Sequence, residues 1–182
     1  MPIPVAIAGL LQSVLAGLFV VMLVAYRTAG PRAQRAAIAE TTRQGVPPEV
    51  LDEHGVRLDE GRAGFVVGYA IAAVFTTLAV LNLAGSEIGR ISTWIVQPLA
   101  LIGVGYVTTI QVFAIPMTAA AFAGLDDPRA QRLDIRAVLR AAADTLPSWY
   151  RPATVARWLL ATVGSVVVIA ALALPAASNY FS

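Results

Sequence analysis

The sequence predicts an all-α integral membrane protein with four transmembrane helices, and three observations predict it. The 182-residue chain is 58% hydrophobic and 13% charged, with mean hydropathy +0.72, whereas a soluble domain is about half apolar and a quarter charged. The apolar residues gather into four runs near residues 4–26, 63–85, 99–123 and 158–178. Each run is long enough to cross a hydrocarbon layer of about 30 Å, which takes roughly 20 helical residues. Arginine is also partitioned: Arg27, Arg32, Arg35, Arg43, Arg57 and Arg62 follow the first run, and Arg129, Arg132, Arg136, Arg140, Arg151 and Arg157 lie between the last two. Only Arg90 lies in the middle connection.

Cationic segments beside membrane spans stay in the cytoplasm. The expected topology therefore has cytoplasmic loops 27–62 and 124–157, a short outer loop 86–98 and both termini extracytoplasmic. With four spans there is no room for a separate soluble domain, so residues 1–182 form a single membrane domain. The first run is uncharged at its start, Met1-Pro2-Ile3-Pro4, and longer than an ordinary signal-peptide core. It reads as an uncleaved span. All 13 basic residues are arginine and there is no cysteine, which excludes disulfides, thiolate nucleophiles and Cys-based metal sites. The Ala-, Gly- and Val-rich composition is actinobacterial-like, and the expected location is a bacterial plasma (inner) membrane.

Span 1 runs from about Pro4 to Tyr26, with Gln12 and Ser13 its only polar side chains. Pro31 suits the first position of a helix, so residues 31–44 read as a short polar helix ended by Gly45, with one more turn from Pro48 to Glu53. Span 2, about 63–85, carries Gly64 and Gly68 with Ala72 and Ala73 near the same face. Small residues at this spacing let helices approach closely in lipid, so Gly64, Gly68 and Ala72 are candidate helix-packing positions. Residues 86–98 lie along the outer surface with Trp94 at headgroup depth, or else span 3 begins as early as Ile91 and bends at Pro98. Span 3 is the most polar, and Pro116 predicts a kink near 112–116.

The second cytoplasmic loop holds an interfacial amphipathic helix near 128–146. Asp127 is its expected cap and Pro128 its first residue. Ile135, Val138, Leu139, Ala142 and Leu146 line one face, and Arg129, Arg132, Arg136 and Arg140 line another. With Trp149, Tyr150 and Trp158 they make a candidate surface for anionic lipid headgroups or for a protein partner. Nucleic acid is the less economical counter-charge. Span 4, about 158–178, is smooth, and Tyr180 and Phe181 anchor its outer end.

The pentapeptide Pro31-Arg32-Ala33-Gln34-Arg35 recurs as Pro128-Arg129-Ala130-Gln131-Arg132, 97 positions on. The same shift carries span 1 onto span 3 and span 2 close to span 4, which suggests two parallel hairpin repeats.

Chemistry is sparse. No predicted span has Asp, Glu, Arg or His within its core, which argues against a proton-coupled transporter acting alone. The single histidine, His54, reads as a solvated loop residue rather than a metal ligand or general base. No phosphate-binding loop, dinucleotide signature or hydrolase motif is present, so no catalytic, metal or cofactor site is assigned. Gln12, Asn82, Gln97, Thr108 and Gln111 are the notable polar groups at membrane depth and read as interhelical hydrogen-bonding positions. The function expected is a non-catalytic subunit or accessory, stabilising factor of a larger inner-membrane complex, for example one of lipid transport or respiration. The alternative is a small oligomeric transporter or channel lined by the third span.

Overall fold

A computed structural model describes residues 1–181. It is 81% helical, with no strand among the described residues, and four helices are long and apolar enough to cross a membrane. The first helix, α1, runs unbroken from Ile3 to Arg43 with Pro31 inside it. A separate helix starting at Pro31 is therefore not what forms. Proline removes the donor that would reach the Arg27 carbonyl, and its ring crowds the Cβ of the preceding residue. That residue is Gly30, which has no Cβ. One added there would lie 3.1 Å from Tyr26 Cε1 and 3.3 Å from the Leu58 carbonyl. The helix ends at Gly45, as expected. Its φ of +73° turns the chain, and the Val46 and Gly45 amides close back onto Thr41 and Thr42, the double bond of a glycine-terminated helix.

A single turn, α2 (Glu49–Glu53), follows, and then α3 (Arg62–Leu83). Gly85, φ +73°, ends α3 in the same way. Helix α4 then runs from Glu87 to Val112 with Pro98 in its interior. The predicted outer loop 86–98 is thus almost entirely helical, and the third long apolar helix begins at Glu87, just ahead of the earlier of the two expected starts, Ile91. The kink foreseen from Pro116 is present. Pro116 cannot donate to the Val112 carbonyl; Phe113 leaves the helical conformation, and α5 (Ala114–Ala123) starts afresh. The stretch expected as span 3 is therefore two helices.

The predicted helix over 128–146 is also two: α6 (Pro128–Arg132) and α7 (Ile135–Ala143). Asp127 caps the first by accepting from the Arg129 amide at 2.8 Å. Leu133 is extended, and Asp134 caps the second by accepting from the Ala137 amide at 3.1 Å. A second Asx cap overrides continuous amphipathic spacing. The last long helix comprises α8 (Tyr150–Leu159), a π-helical segment Leu160–Gly164 and α9 (Ser165–Ala173). It is not the smooth span expected. Leu174, held extended by the proline after it, separates a final turn, α10 (Pro175–Ser178).

The chain forms two compact units. The first comprises Met1–Met22, Val66–Val112 and the chain from Arg151 onward. Its interior is built from Leu15, Phe19, Ala72, Phe75, Ala100 and Ala161, and near the chain ends from Val5, Ala8, Val168, Leu172 and Phe181. Its outward residues are large and apolar: Leu10 is 63% exposed, Ile95 60% and Ile102 71%. The second unit comprises Leu23–Phe65 and Phe113–Tyr150, with a core of Ala37, Val50, Leu51, Phe122, Val138 and Leu139.

Candidate functional site

The first unit gathers one connected set of uncharged polar side chains. Gln12 of α1, Asn82 of α3, Thr93 and Gln97 of α4 and Ser165 of α9 are each no more than 1% exposed. Asn82 Nδ2 donates to Gln12 Oε1 at 3.1 Å and to Thr93 Oγ1 at 2.8 Å. Gln12 Nε2 donates to Gln97 Oε1 at 3.3 Å, and Gln97 Nε2 donates to Ser165 Oγ at 3.0 Å. The two hydroxyls close the set by donating to their own helices, at the Gly89 and Ala161 carbonyls. All four long helices are thereby joined. The buried Asn82 Oδ1 accepts from nothing among the described residues. The arrangement holds helices together, and both of its hydroxyls are committed to carbonyls of their own helices.

Why these residues meet is visible along α4. Gly89, Thr93, Gln97 and Ala100 recur every three or four positions and are buried, while Ile91, Ile95, Leu99 and Ile102 face outward. Thr93 was hidden from the sequence reading because it fell in the supposed outer loop. A period of 3.6 applied from residue 87 exposes it. Ser165 was missed because the last span reads as uniformly apolar.

Of the other predicted polar positions, Thr108 bonds only to its own helix, at the Val104 and Gly105 carbonyls. Gln111 accepts from Arg157 Nη2. Arg157 is 6% exposed and stands over the Phe19 ring at 5.0 Å. It lies within the last long apolar helix, one residue before the predicted span 158–178. Trp158 Nε1 donates to Thr109 Oγ1 at 2.9 Å. The Tyr180 hydroxyl donates to the Leu83 carbonyl at 2.9 Å, and Phe181 is buried.

Among the small residues of α3, Gly68 and Ala72 are buried and Ala73 is exposed. Gly64 has a different role. A Cβ there would sit 1.9 Å from Glu60 Oε1, so glycine at 64 makes room for a carboxylate.

The second unit uses charge where the first uses amides. His54 Nε2 lies 3.1 Å from Asp127 Oδ2, and its ring meets Phe122 edge-on at 5.6 Å. It is half-buried and partnered, not a solvated loop residue. Arg129 pairs with Glu53 at 2.7 Å and Asp127 at 3.1 Å. The Arg129 amide and side chain, with His54, hold the Asp127 carboxyl below the usual carboxylate range. Arg43 and Gln44 pull Glu40 down to about 2. Arg129 is thus drawn out of the predicted cationic stripe, leaving Arg132, Arg136 and Arg140 exposed. The apolar face of α7 is covered by this unit's own core, not left for lipid. Trp149 is 42% exposed beside Tyr150, which stacks on Tyr26 at 5.9 Å.

No protein-family model, no curated protein and no solved structure matches the chain.

Proposed function

We propose that this chain is a multi-pass membrane protein of the bacterial inner membrane. Its role is that of a non-catalytic subunit or accessory factor stabilising a larger complex. The membrane reading is supported by the first unit's surface: large aliphatic groups such as Leu10, Ile95 and Ile102 face outward around an interior that holds both apolar and uncharged polar side chains. In water such a surface would be an aggregation hazard; in lipid it is the ordinary arrangement, with helices held by close approach and interhelical hydrogen bonds. Arginine distribution then orients the chain, with 27–62 and 124–157 cytoplasmic and both termini outside.

The observation that carries the accessory role is the closure of the polar network. Gln12, Asn82, Thr93, Gln97 and Ser165 direct their donors at one another or at their own helices, and Gln111 is occupied by Arg157. Side chains committed this way serve cohesion and leave little to line a solute path. That weighs against the channel alternative, which needed Gln111 in the lining. The exposed Arg132, Arg136, Arg140 and Trp149 supply a contact surface for a partner or for anionic headgroups.

Isolation from native membranes in mild detergent tests the reading. Larger membrane proteins should co-purify in fixed stoichiometry. Recovery of the chain alone, with solute flux in liposomes that Gln111→Leu alters, would replace it with the transporter reading.

A further inference from the structure

One feature of the second unit is not used by the accessory role. A pocket of about 330 Å³ is lined by Tyr26, Arg57, Leu58, Asp59, Glu60 and Gly61. Its wall is built. Leu58 is held at both backbone groups: its amide donates to Gln34 Oε1 at 2.7 Å, and its carbonyl accepts from the Tyr26 hydroxyl. Both anchors are on α1, so the 57–61 segment is fixed against a rigid helix. The Glu60 side chain lies over Gly64, where an added Cβ would make its carboxylate shift. Tyr26 is itself backed by the Tyr150 ring. The pocket therefore offers one guanidinium and two carboxylates, with Arg57 and Asp59 3.8 Å apart, beside an aromatic wall.

We infer that this pocket binds an ammonium–phosphate zwitterion, the chemistry of an ethanolamine headgroup. Asp59 and Glu60 receive the ammonium, with the Tyr26 ring on the flank favourable to a cation, and Arg57 receives the phosphate. The surplus negative charge selects against a purely anionic ligand. A primary ammonium, unlike a quaternary one, can also donate hydrogen bonds to both carboxylates. Tyr26 ends the first apolar run and Arg62 precedes the second, so on the membrane reading, on which the lipid source rests, the pocket lies at headgroup depth.

The test uses the full chain in two arms. In vesicles of phosphatidylcholine doped with phosphatidylethanolamine or phosphatidylglycerol, retained lipid is counted by native mass spectrometry. In detergent, binding of free phosphoethanolamine is measured by calorimetry. Expected is a preference of about tenfold for the ethanolamine headgroup, the size of one charge-assisted hydrogen bond. Asp59→Asn with Glu60→Gln should abolish it, and Gly64→Ala should reduce it by displacing Glu60. Arg57→Gln should weaken ethanolamine binding without restoring choline. Preference only in vesicles assigns a lipid; saturable binding in detergent assigns the free compound. Equal retention of all three lipids with no solution binding overturns the inference, as does a preference that the carboxamide variants leave intact. A chain that fails to enter vesicles removes the membrane reading instead, and the solution arm still decides the pocket.

Discussion

The two units differ in what they bury and in what they show. The first buries a set of amides and hydroxyls among apolar side chains such as Leu15, Phe75 and Leu172, and shows Leu10, Ile95 and Ile102. In the second, Val50, Leu51, Val138 and Phe122 are inside, and the ion pairs of Glu53, Asp127 and Arg129 lie at the rim. On the proposed membrane reading, the difference reflects what would surround each. Where the medium is as apolar as a leucine side chain, burying aliphatic groups gains nothing and hydrogen bonds with close packing do the holding. Where the medium is water, aliphatic burial regains its value of about 25 cal/mol per Å², and charge moves to the surface.

The largest expected effect tests the second interior. Phe122→Ala should cost about 3–5 kcal/mol and unfold the second unit, read as loss of amide protection over 33–60 and 114–143. Protection in 66–112 should be untouched; loss in both units together would show that the contrast has no energetic meaning.

A smaller effect tests the first interior. Asn82→Ala removes two donated bonds and should cost about 1–2 kcal/mol, measured by unfolding in a detergent–denaturant series. Because its Oδ1 carries no bond, Asn82→Ser, which keeps one donor, should recover part of the loss. If Asn82→Leu proves stabilising instead, the network is incidental rather than cohesive.

Acid should separate the units next. Glu40 and Asp127 have carboxyls lowered by their partners. Their contribution is complete above the unfolded carboxylate range near pH 4 and is lost as pH falls through the depressed folded values. A Trp149 signal, with Trp94 and Trp158 replaced by phenylalanine, should report loosening of the second unit below about pH 4. Asp127→Asn should flatten that response. No titrating carboxylate is in the amide network, so the first unit should show no matching transition.

The smallest effect is Arg129→Gln, which breaks two exposed pairs. It should shift stability slightly, and the shift should vanish in high salt. Separately, the absence of cysteine makes single-cysteine labelling of intact cells clean. Residues 36–56 and 126–150 should be protected from an impermeant reagent, and labelling of either from outside would reverse the topology.

Much of this was legible in the sequence. The four apolar helices, the caps at Asp127 and Gly45, and the break before Pro116 all follow from local chemistry. The twin pentapeptides mark where local chemistry stops. Both copies bury their alanine, Ala33 and Ala130, and expose their first arginine. Yet Pro31 sits mid-helix while Pro128 starts one. Gly30 lacks the Cβ that a following proline would crowd, so α1 continues; Asp127 instead offers a side-chain oxygen that begins a new helix. The rule that proline opens a helix was correct for one copy only, because the neighbour decides. Partnerships such as Gln97 with Ser165 or Gln111 with Arg157 were illegible for another reason. They join residues 68 and 46 positions apart, and nothing in either local stretch names its counterpart.

The π-helical segment Leu160–Gly164 bears on how this last helix can vary. A π turn is an α-helix carrying one surplus residue, so the chain there holds a spare link. Trimming Val163, whose side chain points outward, should leave Arg157 facing Gln111 and Ser165 facing Gln97 with a regular helix between them. The same excision in the turns of α3 before Asn82 should rotate Asn82 away from its neighbours. Length change should thus be tolerated in the π-helical segment and not in α3.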